Sequence, residues 1–77
     1  MIHAYIMLNV EAGFEEAVLN HLRALDIVEE AYVSYGVYDL IVKVKAENTQ
    51  ELTDAVAKQV RSIDQVQTTL TLVQTED

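Results

Sequence analysis

Hydrophobic and polar residues alternate with the period of a β-strand over residues 2–9. Both faces of this predicted strand carry large apolar side chains, so we expect both faces to pack against other side chains. One face carries Ile2, Ala4, Ile6 and Leu8, and the other carries His3, Tyr5, Met7 and Asn9. Residues 11–13 then interrupt the pattern.

Two later segments have the 3.6-residue period of amphipathic helices. The first covers residues 14–25, and the second begins at Asn48, whose side chain can cap it, with Glu51 completing a capping-box pattern. The residues predicted to face the core are Phe14, Ala17, Val18, His21, Leu22 and Leu25 in the first helix, and Leu52, Ala55, Val56, Gln59, Val60 and Ile63 in the second.

Three further strands complete the pattern. Residues 28–35 and 37–46 predict a hairpin around Gly36, which we expect to supply the positive φ of a tight turn. The last strand is predicted over residues 65–75. Alternation along it puts Val66, Leu70 and Leu72 on the core face and Thr69 and Thr71 on the opposite face.

The element order βαββαβ predicts an α+β, ferredoxin-like sandwich with a four-stranded antiparallel sheet and two helices on one face. The chain has no proline, two glycines and no linker, so we expect one domain over residues 1–77. The second face of the sheet would be bare in a monomer, and this predicts a sheet-to-sheet homodimer resembling an α/β barrel. Its predicted lining is Tyr5, Met7, Tyr32, Ile41 and Val73.

Composition and charge narrow the classes of function. A hydrophobic fraction of 51% without cysteine favours burial against a second copy, and two histidines are too few for a metal framework. The net charge of −8, with only Lys43 and Lys45 close together, disfavours direct binding of nucleic acid or anionic membranes. The chain has no membrane-span pattern and no signal peptide, so we expect a cytoplasmic protein.

The residues give no sign of catalysis or of a bound cofactor. No Ser-His-Asp or Cys-His set is present, and His21 on a helix stripe is expected to be a packing residue. We therefore expect no enzyme. Analogy of fold leaves one alternative open, a small dimeric ferredoxin-like enzyme of the oxygenase type, which requires a pocket between helices and sheet.

Asp39 and two threonines are the candidate binding residues. Asp39 heads an apolar strand, where a carboxylate either bonds N–H groups of its own turn or binds a ligand amine. Thr69 and Thr71 are ordinary strand residues or hydroxyl contacts for a small polar ligand.

The Gly-x-Tyr-Asp-Leu-Ile-Val hairpin that contains Asp39 and the later Ile-Asp-x-Val-Gln-x-Thr-x-Thr-Leu segment together resemble one known family. This is the effector-binding (RAM) domain of the leucine-responsive, or Lrp/AsnC, transcription regulators, in particular the asparagine-responsive branch. The similarity rests on the stretches 36–40 and 62–69 and extends over residues 4–73. It implies a ferredoxin-like domain that dimerises through its sheets and forms rings of eight or ten subunits. It also implies amino-acid effectors bound in clefts between dimers.

Carried over to this chain, the resemblance implies an effector site with Asp39 at the α-amino group. Backbone N–H groups of Val37 and Tyr38, or Arg61, would hold the carboxylate. The implied effector-binding residues are Gly36, Val37, Tyr38, Asp39, Thr69 and Thr71.

The sequence departs from the family in two respects. It carries no helix-turn-helix segment, so the resemblance is to a stand-alone effector domain, and Asp64-Gln65-Val66 replaces the common Pro-Gly-Val. We therefore expect an amino-acid sensor that acts by ligand-dependent oligomerisation and by co-assembly with full-length regulators. A ligand-free oligomerisation module is a further alternative. An ACT-type regulatory domain is another, but the Gly-x-Tyr-Asp and Thr-x-Thr motifs weigh against the ACT-type domain.

Overall fold

The computed structural model describes residues 1–74 and has the predicted element order. Its elements are β1 (Ile2–Val10), α1 (Glu15–Arg23), β2 (Val28–Val33), β3 (Leu40–Ala46), α2 (Thr49–Ala55), a π-helical turn (Val56–Val60) that continues α2, and β4 (Val66–Gln74). The strands form one sheet in the order β2-β3-β1-β4, and all neighbouring strands are antiparallel. The ferredoxin-like prediction is confirmed, and the predicted strand end at residue 75 lies outside the described residues.

The core lies between one face of the sheet and the two helices. Alternate residues of β1 point into it, as the strand period predicts. The largest fully buried side chains are Ile6, Leu8, Leu22, Leu40, Val18, Val42, Val44 and Val60. Asn48 caps α2, because its Oδ1 accepts the Glu51 backbone N–H at 2.8 Å, which confirms the predicted helix start.

The buried faces of both helices differ in part from the prediction. In α1 the side chain of Leu19 is buried, whereas Ala17 and His21 are exposed, so the predicted packing role of His21 is wrong. The larger apolar surface of Leu19 turns that side of the helix toward the sheet. In α2 the extra residue of the π-helical turn brings Val60 into the core and leaves Gln59 exposed.

The predicted faces of β4 are inverted along most of the strand. Val66 pairs with the buried Val10, but the register shifts there, and Thr68 pairs with Asn9 on the other face. One extra residue, Gln67, therefore reverses the alternation that follows. The helix side of β4 carries Thr69, Thr71 and Val73, and the opposite side carries Thr68, Leu70 and Leu72.

The connection between β2 and β3 is wider than the predicted tight hairpin. It covers residues 34–39, and the Ser34 N–H donates to the Asp39 carbonyl oxygen at 2.8 Å across its base. Gly36 does not have a positive φ, so that prediction is wrong, and Gly13, with φ 92°, is the residue of 1–74 that does. A six-residue loop spreads the chain reversal over more bonds and needs no left-handed residue at its centre.

The face of the sheet away from the helices, hereafter the open face, carries a broad apolar patch. The predicted members Tyr5, Met7, Tyr32 and Ile41 lie there, but Val73 lies on the helix side. Leu70 and Leu72 complete the patch; Lys43 lies at its edge, with Nζ 6.0 Å from the centre of the Tyr5 ring. No helix within residues 1–74 has the length and apolar character needed to cross a membrane.

Candidate functional site

The loop of residues 34–39 is attached to the end of β1 through Asp39. The Asp39 Oδ2 accepts the backbone N–H of Val10 at 2.9 Å, and the Asp39 N–H donates to the Leu8 carbonyl oxygen at 3.0 Å. The carboxylate of this half-buried residue therefore accepts from a neighbouring strand and not from its own turn. These bonds fix the carboxylate at one end of the sheet.

One oxygen of this carboxylate has capacity to spare. A carboxylate has about four acceptor positions on its two oxygens. Within residues 1–74, the protein donates a hydrogen bond to Oδ2 of Asp39 and none to Oδ1 of the same carboxylate. An oriented carboxylate with a vacant oxygen can bind an ammonium group by a charge-assisted hydrogen bond.

Asn9 is a site residue that the sequence argument missed. Its Oδ1 accepts the Asp39 N–H at 3.1 Å, and its Nδ2 donates to the Thr68 hydroxyl oxygen at 3.1 Å. Asn9 thus links the loop, β1 and β4 through one amide side chain. The signal available in the sequence was a polar amide near the end of a largely apolar strand.

Thr69 and Thr71 lie on the helix side of β4, not on the open face. Both line a groove of about 440 Å³ between α2 and β4, which Arg61 also lines. Leu8 of β1 pairs with Thr69 on one side and with Leu40, the residue after Asp39, on the other side. Asp39 and Thr69 therefore occupy the same end of the sheet. Two strand spacings, about 10 Å, separate their backbones.

The remaining predicted residues form the outer part of the loop. Gly36 is exposed, the Val37 side chain is 86% exposed, and Tyr38 is half-buried. Tyr35, which the sequence argument did not single out, is 99% exposed. Within residues 1–74, the N–H groups of Val37 and Tyr38 donate to no other protein group. The loop therefore offers free backbone donors and apolar side chains to a neighbour.

Two other kinds of site find no support in the described part of the chain. Residues 1–74 contain no group of three or more His, Asp or Glu side chains able to hold a metal ion. An enzyme of the oxygenase type would need a pocket between helices and sheet, and the groove between α2 and β4 lies only at the edge strand. Over the central strands no such pocket is described within residues 1–74. That space is filled by side chains such as Ile6, Leu22 and Leu40, all fully buried.

The sequence matches the family model described as the Lrp/AsnC ligand binding domain over residues 3–77. It is 36% identical over 58 residues to the regulatory protein AsnC of Haemophilus influenzae, covering 75% of this chain and 39% of that protein. It is 33% identical over 72 residues to the HTH-type transcriptional regulator FL11 of Pyrococcus furiosus, covering 94% of this chain and 47% of that protein. The chain thus spans less than half the length of these relatives.

Similar solved structures cover nearly the whole chain. FFRP-DM1 is 37% identical with a TM-score of 0.95, covering 97% of this chain and 100% of its own. The hypothetical protein PHS023 from Pyrococcus horikoshii is 36% identical with a TM-score of 0.94, covering 100% of this chain and 93% of its own. The AsnC of E. coli is 27% identical with a TM-score of 0.92, covering 99% of this chain and 52% of its own. The resemblance drawn from the sequence is confirmed: this chain belongs to the Lrp/AsnC ligand-binding domain family, which is regulatory and not enzymatic.

Proposed function

We propose that this domain senses an amino acid and acts in transcriptional regulation through ligand-dependent oligomerisation, including co-assembly with full-length regulators of its family. Membership of a ligand-binding domain family supports an effector. The observation that carries the choice of an amino acid is the Asp39 carboxylate, which is oriented by the Val10 N–H and has a vacant oxygen. The proposal implies a cytoplasmic location, where such regulators meet both metabolite and DNA-bound partners.

The proposed site holds the two charged ends of the effector on one loop. Asp39 binds the ammonium group, and the free N–H groups of Val37 and Tyr38 bind the carboxylate. Because Gly36 has no side chain, the ligand can approach the backbone closely. The ammonium and carboxylate groups of an α-amino acid are separated by much less than the distance from this loop to β4. The loop therefore binds both groups.

A neighbouring subunit completes the site. The backbones of Asp39 and Thr69 lie about 10 Å apart within one chain, too far for a small amino acid to contact both closely. The exposed loop also leaves one side of a bound ligand in water. Thr69 and Thr71 of an adjacent subunit would supply polar contacts and cover the ligand, which favours a cleft between subunits.

The homodimer of this proposal forms through the open face. Tyr5 and Leu72, which are 40% and 49% exposed, belong to an apolar patch too large to remain wet. Packing two sheets face to face buries this patch and leaves the loops of residues 34–39 free. Those loops then join dimers into an octameric or decameric ring.

Mass action couples the ligand to the assembly. A ligand that binds only the cleft between dimers stabilises the ring by RT ln(1 + [L]/Kd), and assembly in turn raises its affinity. Occupancy of the site is thereby converted into a change of oligomeric state. A mixed ring with full-length regulators would pass this change to their DNA-binding parts.

Light scattering after size-exclusion chromatography, run with each of the twenty amino acids, tests the proposal. One amino acid should increase the mass or the melting temperature, and Asp39→Asn should abolish the effect. Asp26→Asn is the matched control, because it removes the same charge from an exposed turn at the other end of the sheet. A response that persists in Asp39→Asn would assign the ligand to another site.

A ligand-free oligomerisation module is the second candidate. The bond from Val10 to Asp39 Oδ2 favours it, because that bond alone gives the carboxylate a structural role. This candidate predicts that no amino acid changes the mass or the melting temperature. Pull-down of full-length regulators would then be the remaining evidence of a regulatory function.

A further inference from the structure

His3 and Glu29 form a hydrogen-bonded pair at one end of the open face. His3 lies on the same face of β1 as Tyr5, because one residue of the strand separates them. Its Nδ1 lies 2.7 Å from Oε1 of Glu29 on β2, so the pair spans the intervening strand β3. Within residues 1–74, no other pair of basic and acidic side chains is in contact.

A bulge in β2 directs acidic side chains to the open face. The register of β2 shifts between Val28 and Glu30. Strict alternation after the core residue Val28 would put Glu30 on the helix side. The shift instead pairs Glu30 with Lys43, the residue of β3 opposite Tyr5, so Glu29 and Glu30 both belong to the open face. The surface proposed for dimerisation thus contains a histidine–carboxylate pair.

Charged groups from three strands surround this pair. Lys45 of β3 pairs with His3 on one side, and the neutral Gln74 of β4 pairs with it on the other. The titratable groups at this end of the face also include the amino group of Met1 and the side chains of Tyr5, Glu29, Glu30, Tyr32 and Lys43. Within residues 1–74 the helices contribute none, because they pack on the other side of the sheet. Since two lysines offset two glutamates, the contact with Glu29 decides how a charge on His3 affects association.

We infer that the His3–Glu29 pair makes the sheet-to-sheet dimer of this domain tighten as the pH falls from about 8 to about 6, the range in which histidine ordinarily changes charge. The inference rests on the proposed dimerisation through the open face and specifies its regulation. The two side chains are 37% and 27% exposed in the single chain. His3 lies about 7 Å along β1 from Tyr5, so a second sheet that covers Tyr5 also withdraws water from the pair.

The carboxylate of Glu29 determines the direction of this pH dependence. When His3 is neutral, a covering sheet leaves the charge of Glu29 without an opposite charge in contact, which disfavours the dimer. When His3 is protonated, the pair becomes a charge-assisted hydrogen bond that strengthens as water is excluded. Each added proton also reduces the repulsion between two chains of net charge −8. The dimer therefore binds protons more tightly than two separate chains, and by linkage acid favours the dimer.

Sedimentation equilibrium of the full chain at constant ionic strength tests the inference. Each dimer contains two such pairs, each contributing as a partly exposed ion pair does, so the dissociation constant should be about tenfold lower at about pH 6 than at about pH 8. His3→Gln keeps a hydrogen-bonding group that cannot be protonated, and it should lose most of this response. His21→Gln is the matched control, because it removes a histidine from the exposed side of α1 and should keep the response.

A second pair of variants tests the role of the carboxylate. Glu29→Gln removes the charged partner of His3 and should also lose the response, whereas Glu16→Gln, on exposed α1, should retain it. A dimer with the same dissociation constant at both pH values overturns the inference and leaves the proposed dimer standing. So does a pH response that persists in His3→Gln or Glu29→Gln, or one that His21→Gln abolishes equally. A chain that stays monomeric at both pH values overturns the dimer and the inference together.

Discussion

Tyr5 of β1 and Leu72 of β4 lie directly opposite each other on the open face of the sheet. The neighbouring Thr71 pairs with Ile6 and lies on the helix side. Adjacent residues of β4 thus belong to two different surfaces. Leu72 belongs to the apolar patch of the proposed dimer interface, and Thr71 belongs to the α2–β4 groove.

The first prediction concerns this difference between Leu72 and Thr71. Leu72→Lys puts a charge in the apolar patch, where burial in a dimer would leave it without a partner. We expect the variant to be monomeric by light scattering at concentrations where the parent is dimeric. Thr71→Lys is the matched control on the same strand, and it should remain dimeric. Equal masses for the two variants would show that the dimer uses another surface.

The inverted faces of β4 show what alternation can and cannot predict. Uninterrupted alternation from Val66 predicts that Leu70 and Leu72 lie on the same strand face as Val66. The bulge near Gln67 adds one residue, so every later side chain changes face. No feature of Gln67 itself predicts the bulge, because the bulge results from the pairing of β4 with β1. The element order, by contrast, depends on long periodic runs and was predicted correctly.

The second prediction separates the structural role of Asp39 from its proposed ligand role. Asp39→Ala leaves the N–H of the buried Val10 without an acceptor, which should cost about 1–3 kcal/mol of unfolding free energy. Asp39→Asn retains an oxygen acceptor and should lose less stability. Urea unfolding of both variants at fixed protein concentration measures the difference.

The same pair of variants bears on ligand binding. Asn lacks the negative charge that attracts an ammonium group, so both variants should fail to bind the amino-acid effector. Calorimetric titration with the amino acid that shifts the parent's mass checks this. Binding by Asp39→Asn at parental affinity would show that Asp39 acts only as the acceptor for Val10.

The sequence proposes residue types for the candidate site, but it does not give their geometry. The Gly-Val-Tyr-Asp and Thr-Leu-Thr motifs supply the residues of the proposed site, but the hydrogen-bond partner of Asp39 lies 29 residues away in β1. Which side of β4 Thr69 occupies depends on the bulge near Gln67. These are consequences of packing and pairing that no local pattern encodes.

The third prediction concerns the start of α2. The Asn48 side chain accepts the Glu51 N–H, one of the donors that a helix leaves unpaired at its first turn. Asn48→Ala should therefore destabilise the domain by about 1 kcal/mol, whereas Asn48→Asp, which keeps the acceptor, should be close to the parent. Thermal unfolding of the three proteins side by side measures this. Equal losses in both variants would indicate that the cap contributes little here.

The last prediction follows from the hydrogen bond between Tyr32 and Glu30 on β2. The Tyr32 hydroxyl donates to Glu30 Oε1, and this bond to a nearby negative charge raises the pKa of Tyr32 above its usual 10.0. Because the folded-state pKa is raised, the stabilisation is present below the usual tyrosine pKa and is lost as the pH rises through the raised value. NMR titration of ring-labelled tyrosine should show a lower pKa of Tyr32 in Glu30→Gln than in the parent. Glu16→Gln, which removes the charge of an exposed residue of α1, is the control and should leave the pKa of Tyr32 unchanged. A pKa that stays raised in Glu30→Gln would mean that another group causes the shift.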